Sequence, residues 1–530
     1  MRLGRNVGSL NLAFSLLVTT LIAAAIRFQP LGASPFPLND GGLFAHMAGE
    51  LANNGFLLPA ATTYNGESIP FAYPPLGIYL TAFTSLALGS SSTTVLQWLP
   101  ALLSTLSVLA LYGMAAELLR SRWRGLVAAA AFAFIPRSYV WLIVGGGITR
   151  SLGMLLALLA LQQGTRMLRT HRWPNVLATG LLGGLTALSH PQAAVFLAVS
   201  LTTLWAFGFG RHRALPAGGQ LVVSGLVGLA VASPWLVTVV VTHGLAPILS
   251  AGQSAWDVSS GLSQFLAVSF GDTSVFDLVT ALGVMGIVVR IARRQWMIPV
   301  WLLLTMVIDP RAGATYASVP IALSVVPIVG ELLQRMVPAQ GSGATLDTET
   351  LPQLTRSHRA AALVVVLVLF IGLRTASRIS ADPDGPLSGL LAEHLSAMQW
   401  VRSETNDSAV FAVVGGRNWE IDYFSEWFPV LARRPSVATV QGSEWTDSFV
   451  ERLAMFRQLQ QCASETARCI DKWIAGWGLD PVYVFVPKGR LSGPSSPIDC
   501  CPALRETLAA SDRYVLVYDG PGASIFAPAT

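Results

Sequence analysis

TTVLQWLPALLSTLSVLALYGMAAELLRSRWR, Thr93 to Arg124, is the stretch that decides the fold class. Its first part, 93–118, is apolar throughout except for Gln97, a few hydroxyls and Glu117 near the end. A bilayer core of about 30 Å needs roughly 20 such residues in a helix. The run ends on Arg120, Arg122 and Arg124, a cationic cluster of the kind that marks a cytoplasmic boundary. Working outward, runs of the same kind occupy 9–27, 124–144, 149–168, 176–189, 191–209, 219–242, 274–292, 296–309, 315–337 and 359–377. A further run, 75–89, is apolar but short.

Arginine clusters recur between these runs: Arg2 and Arg5; Arg166, Arg169 and Arg172; Arg211 and Arg213; Arg290, Arg293 and Arg294; Arg335, Arg356 and Arg359. With each cluster placed in the cytoplasm, the chain makes about 11 crossings with its N-terminus inside. Segment 75–89 then dips into the outer leaflet and returns, because a full crossing would turn every later cluster outward. The run after Arg2 and Arg5 resembles a signal peptide but is read as a retained first span. The expected architecture is a polytopic α-helical membrane domain over 1–378, with a long first outer loop at 28–74. A soluble extracytoplasmic α/β domain follows over 379–530. Residues 340–357 are Gly/Ser/Thr-rich and read as a cytoplasmic linker.

Composition agrees. Hydrophobic residues make up 52% of the 530 and charged residues 12%, where a soluble chain carries about 25%. The formal charge of +5 comes from arginine, since Lys472 and Lys488 are the only lysines. Those arginines sit between apolar runs, so the charge orients the chain in a membrane rather than marking a nucleic-acid partner. The four cysteines, Cys462, Cys469, Cys500 and Cys501, lack zinc-ribbon spacing and suit one or two disulfides in an oxidising space. In the last part of the chain a helical run, 387–402, precedes short β-rich runs at 409–414, 482–486, 514–518 and 524–527, a small α/β pattern.

The first outer loop contains PLNDGGLFAHMAGELANNGFLLPAATTYNGESIPFAYPPLGIYL, Pro37 to Leu80. Long loops between short ones are usually functional. Leu43, Phe44, Met47 and Leu51 have helical spacing, with Asn39 or Asp40 placed to cap the helix. His46 and Glu50 lie four apart on one face, available to a metal or to solvent.

An acidic residue early in this loop, interface helices and the Tyr73-Pro74-Pro75-Leu76 entry to the next helix resemble the GT-C glycosyltransferases. That superfamily includes the protein O-mannosyltransferases, the aminoarabinose transferases and the oligosaccharyltransferases. The resemblance extends to Leu188-Ser189-His190-Pro191, to SAMQWVRSETNDSAVFAVVGG (Ser396 to Gly416) and to WEIDYFSEWFPVLARRPSVATVQGSEW (Trp419 to Trp445). It implies a membrane glycosyltransferase of the cell (inner or plasma) membrane. Such an enzyme moves a sugar from a polyprenyl-phosphate donor, with inversion, to an extracytoplasmic glycolipid, glycan or protein. A transporter or flippase of lipid-linked substrates is the alternative, disfavoured by the scarcity of charge within the spans.

The resemblance makes Asp40 the catalytic base or orienting group. Glu67 in its polar turn, Tyr73 at the water boundary, Arg150 after Gly145–Gly147 and His190 between two spans are candidate substrate contacts. Arg150 stands out because positive charge on the outer side runs against the orientation rule. Arg311 lies beside Asp309 as a local pair. Arg417, Glu420, Glu426 and Trp427 are candidate acceptor contacts. A lipid-linked sugar donor is the implied co-substrate; with Asn39-Asp40 in place of an Asp-Glu pair, a divalent metal stays open.

Overall fold

In the computed structural model the described residues are 2–208, 211–254, 277–309, 311–336, 369–382, 385–488, 490–493 and 496–529. The linker 340–357, most of the expected loop 243–273 and the start of the run 359–377 lie outside them.

The apolar runs form helices because a backbone in lipid must satisfy its own hydrogen bonds. They are α1 (Arg2–Gly32), α3 (Leu76–Leu88), α4 (Ser92–Leu119), α5 (Arg122–Phe134), α6 (Gly147–Thr170), α7 (Trp173–Ser189), α8 (Pro191–Gly208), α9 (Arg211–His243), then Leu278–Ala292, Met297–Ile308 and Gly313–Met336. A short helix from the first loop, α2 (Gly42–Asn53), packs on α3. Among the described residues five stretches are long and apolar enough to cross a bilayer, or six if one bent pair counts as a span. Phe14 and Leu21 on α1 and Leu226 and Val241 on α9 stand exposed, as lipid-facing residues do.

The run 124–144, expected as one span, is broken. Pro136 has no N–H to continue α5 and pushes Ile135 out of helical geometry. The chain bends by 93° into short turns at Pro136–Ser138 and Val140–Leu142 before α6 begins. Segment 75–89 forms the 13-residue α3, about 20 Å long at 1.5 Å per residue, which is short of a bilayer core.

At one end of the bundle Arg166 Nε meets Glu117 Oε2 at 3.1 Å, and Arg169 bonds the carbonyls of Glu117 and Leu118. The C-terminal ends of α4 and α6 therefore lie side by side with their arginine clusters. Arg150, in the first turn of α6, lies about 24 Å away along the helix at its opposite end. One cation does sit within a span. Arg27 of α1 is fully buried, and its Nε donates to Ser104 Oγ at 2.9 Å, with further donations to Ala133 O and Ser138 Oγ.

The C-terminal residues build a four-stranded sheet in the order β3 (Phe411–Val413), β4 (Tyr483–Pro487), β8 (Ala523–Pro528), β7 (Tyr514–Asp519); β3 and β4 are parallel and the rest antiparallel. Two-stranded ribbons form from β1 (Ala61–Thr62) with β2 (Ile69–Pro70) and from β5 (Arg490–Gly493) with β6 (Ser496–Asp499). Alternation along the strands divides two cores. Phe411, Val413, Phe485 and Ile525 join Trp427 and Phe428 in a cluster shared with Val95, Leu99 and Ile148 of the helical bundle. Ala412, Val414, Val484 and Phe526 face the unit's own helices instead. One face of the sheet is thus fastened over the bundle end that carries Arg150. Disulfides join Cys462 to Cys469 and Cys500 to Cys501.

Candidate active site

The site begins with a tight turn in the first loop. Asn39 has φ 48° and Gly41 φ 123°, so the backbone reverses at Asp40 instead of entering a helix. The expected capping role is therefore corrected. The N-cap of α2 is Gly41, and its N–H is received by Glu426 Oε1 at 2.7 Å from the C-terminal unit. With the cap supplied from there, the Asp40 side chain turns the other way.

It turns toward the glycine run that follows the broken helix. Gly145 N donates to Leu38 O at 2.8 Å, and Gly146 N lies 2.9 Å from Asp40 Oδ1 and 3.1 Å from the Asp40 carbonyl. A Cβ on Gly145 would fall 2.1 Å from the Asp40 carbonyl, and one on Gly146 would fall 2.6 Å from Oδ2. Only glycine permits this approach. Arg150 closes the arrangement through an ion pair with Asp40 Oδ2. The two side chains remain 24% and 20% exposed, so a ligand can reach them.

Around the pair stand aromatic and cationic groups. The Tyr73 hydroxyl is 3.0 Å from Thr149 Oγ1, and its ring meets Phe44 and Trp445 edge-on. Burial pushes the Tyr73 phenol above its ordinary value, and the charges of Arg150 and Arg311 work against that rise. Arg150 lies over Trp141 and the exposed Arg311 over Trp419, 5.4 Å from its centroid. His190, buried between α7 and α8, packs on Gly153 one turn beyond Arg150 and feels both guanidinium charges. Its Nδ1 has no hydrogen-bond partner among the described residues.

The C-terminal unit completes the wall. Trp427 Nε1 donates to Asn39 O at 2.7 Å, Asn39 Nδ2 to Glu420 O at 3.1 Å, and the Tyr64 hydroxyl to Glu426 O at 2.6 Å. Burial, and then the neighbouring charges of Asp40 and Glu444, push the Glu426 carboxyl up to about 8 against the stabilising Gly41 N–H. A buried carboxyl facing neighbouring negative charge keeps its proton on Glu426.

The structure therefore brings Asp40, Tyr73, Arg150 and His190 together, and adds Arg311 and Glu426. Arg311 is not paired locally as expected: Asp309 accepts from Gln192 and from Ala312 N, and Arg311 turns to Trp419. Glu67 is engaged elsewhere, with Arg452 Nη2 at 2.8 Å, tying the loop to the C-terminal unit. His46 and Glu50 pair at 3.2 Å, and Glu50 also accepts from Thr63; these bonds draw its carboxyl down to about 2 despite burial. Among the described residues no three His, Cys, Asp or Glu side chains cluster for a metal. Asp40 spends its oxygens on Arg150 and Gly146, and Glu426 on Gly41, a donor set that does not fit a divalent cation.

The family model of dolichyl-phosphate-mannose-protein mannosyltransferases matches residues 72–237, a stretch that holds Tyr73, Arg150 and His190 but not Asp40. No curated protein sequence matches the chain. Among solved structures, the archaeal oligosaccharyltransferase AglB from Archaeoglobus fulgidus, in complex with an inhibitory peptide and a dolichol-phosphate, is similar at a TM-score of 0.58 and 14% identity. That match covers 90% of this chain and 69% of that one. The arabinofuranosyltransferase AftD from Mycobacteria gives 0.52 at 15% identity, over 97% of this chain and 40% of that one. Apo ArnT from Cupriavidus metallidurans gives 0.50 at 14% identity, over 96% and 97%. The chain shares the GT-C glycosyltransferase fold with these structures.

Proposed function

We propose that this GT-C chain transfers one sugar from a polyprenyl phosphate to an acceptor hydroxyl at the extracytoplasmic face of the cell membrane, inverting the anomeric centre. The reading takes the bundle end opposite Arg166 and Arg169 as outside, with the C-terminal α/β unit soluble there and about eleven crossings below it. The observation that carries it is the partly open ion pair of Asp40 and Arg150, set among Tyr73, His190 and Arg311.

The chemistry follows from that pair. A donor phosphate competes with Asp40 for the guanidinium of Arg150, since Arg binds phosphate in the same forked way as carboxylate. Once Arg150 turns to the phosphate, Asp40 Oδ2 is left to accept a proton. The acceptor O–H gives that proton to Asp40 as its oxygen forms the bond to the anomeric carbon. The bond from that carbon to the phosphate oxygen breaks, and the electron pair leaves with the polyprenyl phosphate. Arg150 and Arg311 meet the developing charge, and the Tyr73 hydroxyl supplies a further donor. Holding its proton, Glu426 keeps a second negative charge out of the path of the anionic donor.

The test is transfer by purified protein in vesicles containing individual polyprenyl-phosphate mannose, arabinofuranose and aminoarabinose donors, with the product anomer read by NMR. Inverted product from at least one donor is expected. Product with the donor's own anomeric configuration, or no transfer from any of them, contradicts the reading.

A further inference from the structure

Within the C-terminal unit lies a cleft of about 450 Å³ that nothing above uses. Its volume falls within the range of small-molecule sites. One wall is the loop after β3, with Asn418, Trp419 and Glu420; the other is the helix Phe449–Gln461, with Arg457 and Gln461. Asn418, Glu420, Arg457 and Gln461 are exposed, and the Trp419 ring is half-buried. The floor is rigid. Gln460 accepts from Gly415 N at 2.9 Å and Gly416 N at 2.8 Å, and donates to Val413 O at 2.9 Å.

Two links key this cleft to the catalytic turn. Glu420 O receives the side chain of Asn39, the residue before Asp40. Trp419 lies under Arg311, whose charge is felt at Tyr73 and His190. The cleft therefore adjoins the turn that carries Asp40.

The lining selects the ligand's chemistry. It offers amide, guanidinium and carboxylate groups around one indole and the buried Phe456 ring, with no aliphatic side chain from Leu, Ile, Val or Met. Such planar donors and acceptors match hydroxyl groups, and an indole face suits the C–H face of a sugar ring. A lipid chain would find only the Trp419 and buried Phe456 rings as apolar surface. An extended peptide would find no free strand either, because the outer edge of β3 is covered by the bridge from Phe411 to Ser436 and by Val437 N bonding to Phe411 O.

We propose that this cleft, between the loop 416–420 and the helix Phe449–Gln461, is the acceptor subsite and that it holds a carbohydrate chain. The acceptor is then a glycan whose terminal hydroxyl reaches Asp40 while the preceding sugars rest on Trp419 and hydrogen-bond to Asn418 and Arg457. This rests on the transferase reading for its role, but the binding itself does not need transfer.

The experiment uses the full chain in detergent, with mannotriose and arabinotriose as probes, binding followed by saturation-transfer NMR and by calorimetry. At least one trisaccharide binds the native protein, and Gly49→Ala, outside the cleft and with open space at its added Cβ, leaves that binding unchanged. Trp419→Ala and Arg457→Ala weaken it by about tenfold or more, the scale on which losing one anchor of about 1.4 kcal/mol is felt. Asn418→Ala, at an exposed position that does not threaten folding, weakens it in the same direction. Absence of binding by either trisaccharide, or binding indifferent to all three cleft variants, overturns the proposal. So does displacement of the sugars by a neutral hexapeptide or by lipid vesicles in a Trp419-dependent way. Trisaccharide binding in a protein that transfers no sugar supports the cleft and overturns only the transferase reading; transfer without cleft binding overturns the cleft alone.

Discussion

Gly146→Ala places one methyl group where the proposed mechanism is least tolerant. The added Cβ would stand 2.6 Å from Asp40 Oδ2, 2.7 Å from Cγ and 2.9 Å from Oδ1, where ordinary contact begins at 3.4 Å. Gly146 is pinned by its N–H bond to the Asp40 turn and by the start of α6, so the carboxylate must retreat by about 0.8 Å to reach that contact distance. Overpacking of this kind costs about 1–3 kcal/mol. A displacement approaching 1 Å at a reacting group costs on the order of 10²-fold in rate. The assay is kcat/KM for sugar transfer, with thermal unfolding alongside to separate misplacement from collapse. The expected result is a fall of about 10²-fold in kcat/KM with the protein still folded. Gly49→Ala, in the middle of α2 with nothing within 4 Å of its added Cβ, serves as the neutral control. A Gly146→Ala enzyme that keeps half or more of native kcat/KM would refute the argument that Asp40 works from this position.

Arg150→Lys keeps the charge and loses the fork; the donor KM should rise by about 10-fold or more, and an unchanged donor KM would remove Arg150 from the phosphate grip. Glu426 has its carboxyl raised by burial, so the folded state holds a proton that the unfolded chain releases near 4.5. Its stabilising contribution is full below that value and is lost as pH rises toward about 8, so thermal stability should fall between pH 5 and 8. Glu426→Gln should flatten that slope, and an identical slope in the variant would assign it to another group. Replacing Cys462 and Cys469 together by Ala opens a bridge spanning 7 residues in sequence, for which chain entropy predicts a loss of about 2–3 kcal/mol seen in denaturant unfolding of the C-terminal unit. No change in midpoint would contradict that.

Much of the fold was legible because a bilayer imposes long apolar runs, and α4 and α8 lie close to where 93–118 and 191–209 place them. The strands Phe411–Val413, Tyr483–Pro487, Tyr514–Asp519 and Ala523–Pro528 lie within or close to the β-rich runs, because Gly, Pro and Asp bound them. The number of long spans was harder to read. Pro136 breaks a run whose apolarity continues past it, and Met297–Ile308 has only 12 residues. In the site, Arg150 was visible as a cation on the wrong side and Gly145–Gly147 as an odd triplet. That Arg150 shares a site with Asp40 followed from the resemblance; that Gly146 closes on the Asp40 carboxylate did not, since it depends on the 93° bend. The partner of Glu67 was not legible, because a polar turn does not reveal Arg452, 385 residues away. The partner of Gly41, which frees Asp40 from capping, likewise comes from the far end of the chain.

The central claim is that Asp40 takes the acceptor's proton while Arg150 turns to the donor phosphate, and single-turnover transfer by Asp40→Asn tests it most directly. With the competing carboxylate gone, Arg150 is released, so donor binding should hold or tighten while the transfer rate falls by about 10²–10⁴. Native transfer rate in that variant, or a donor affinity that collapses together with the rate, would contradict the account.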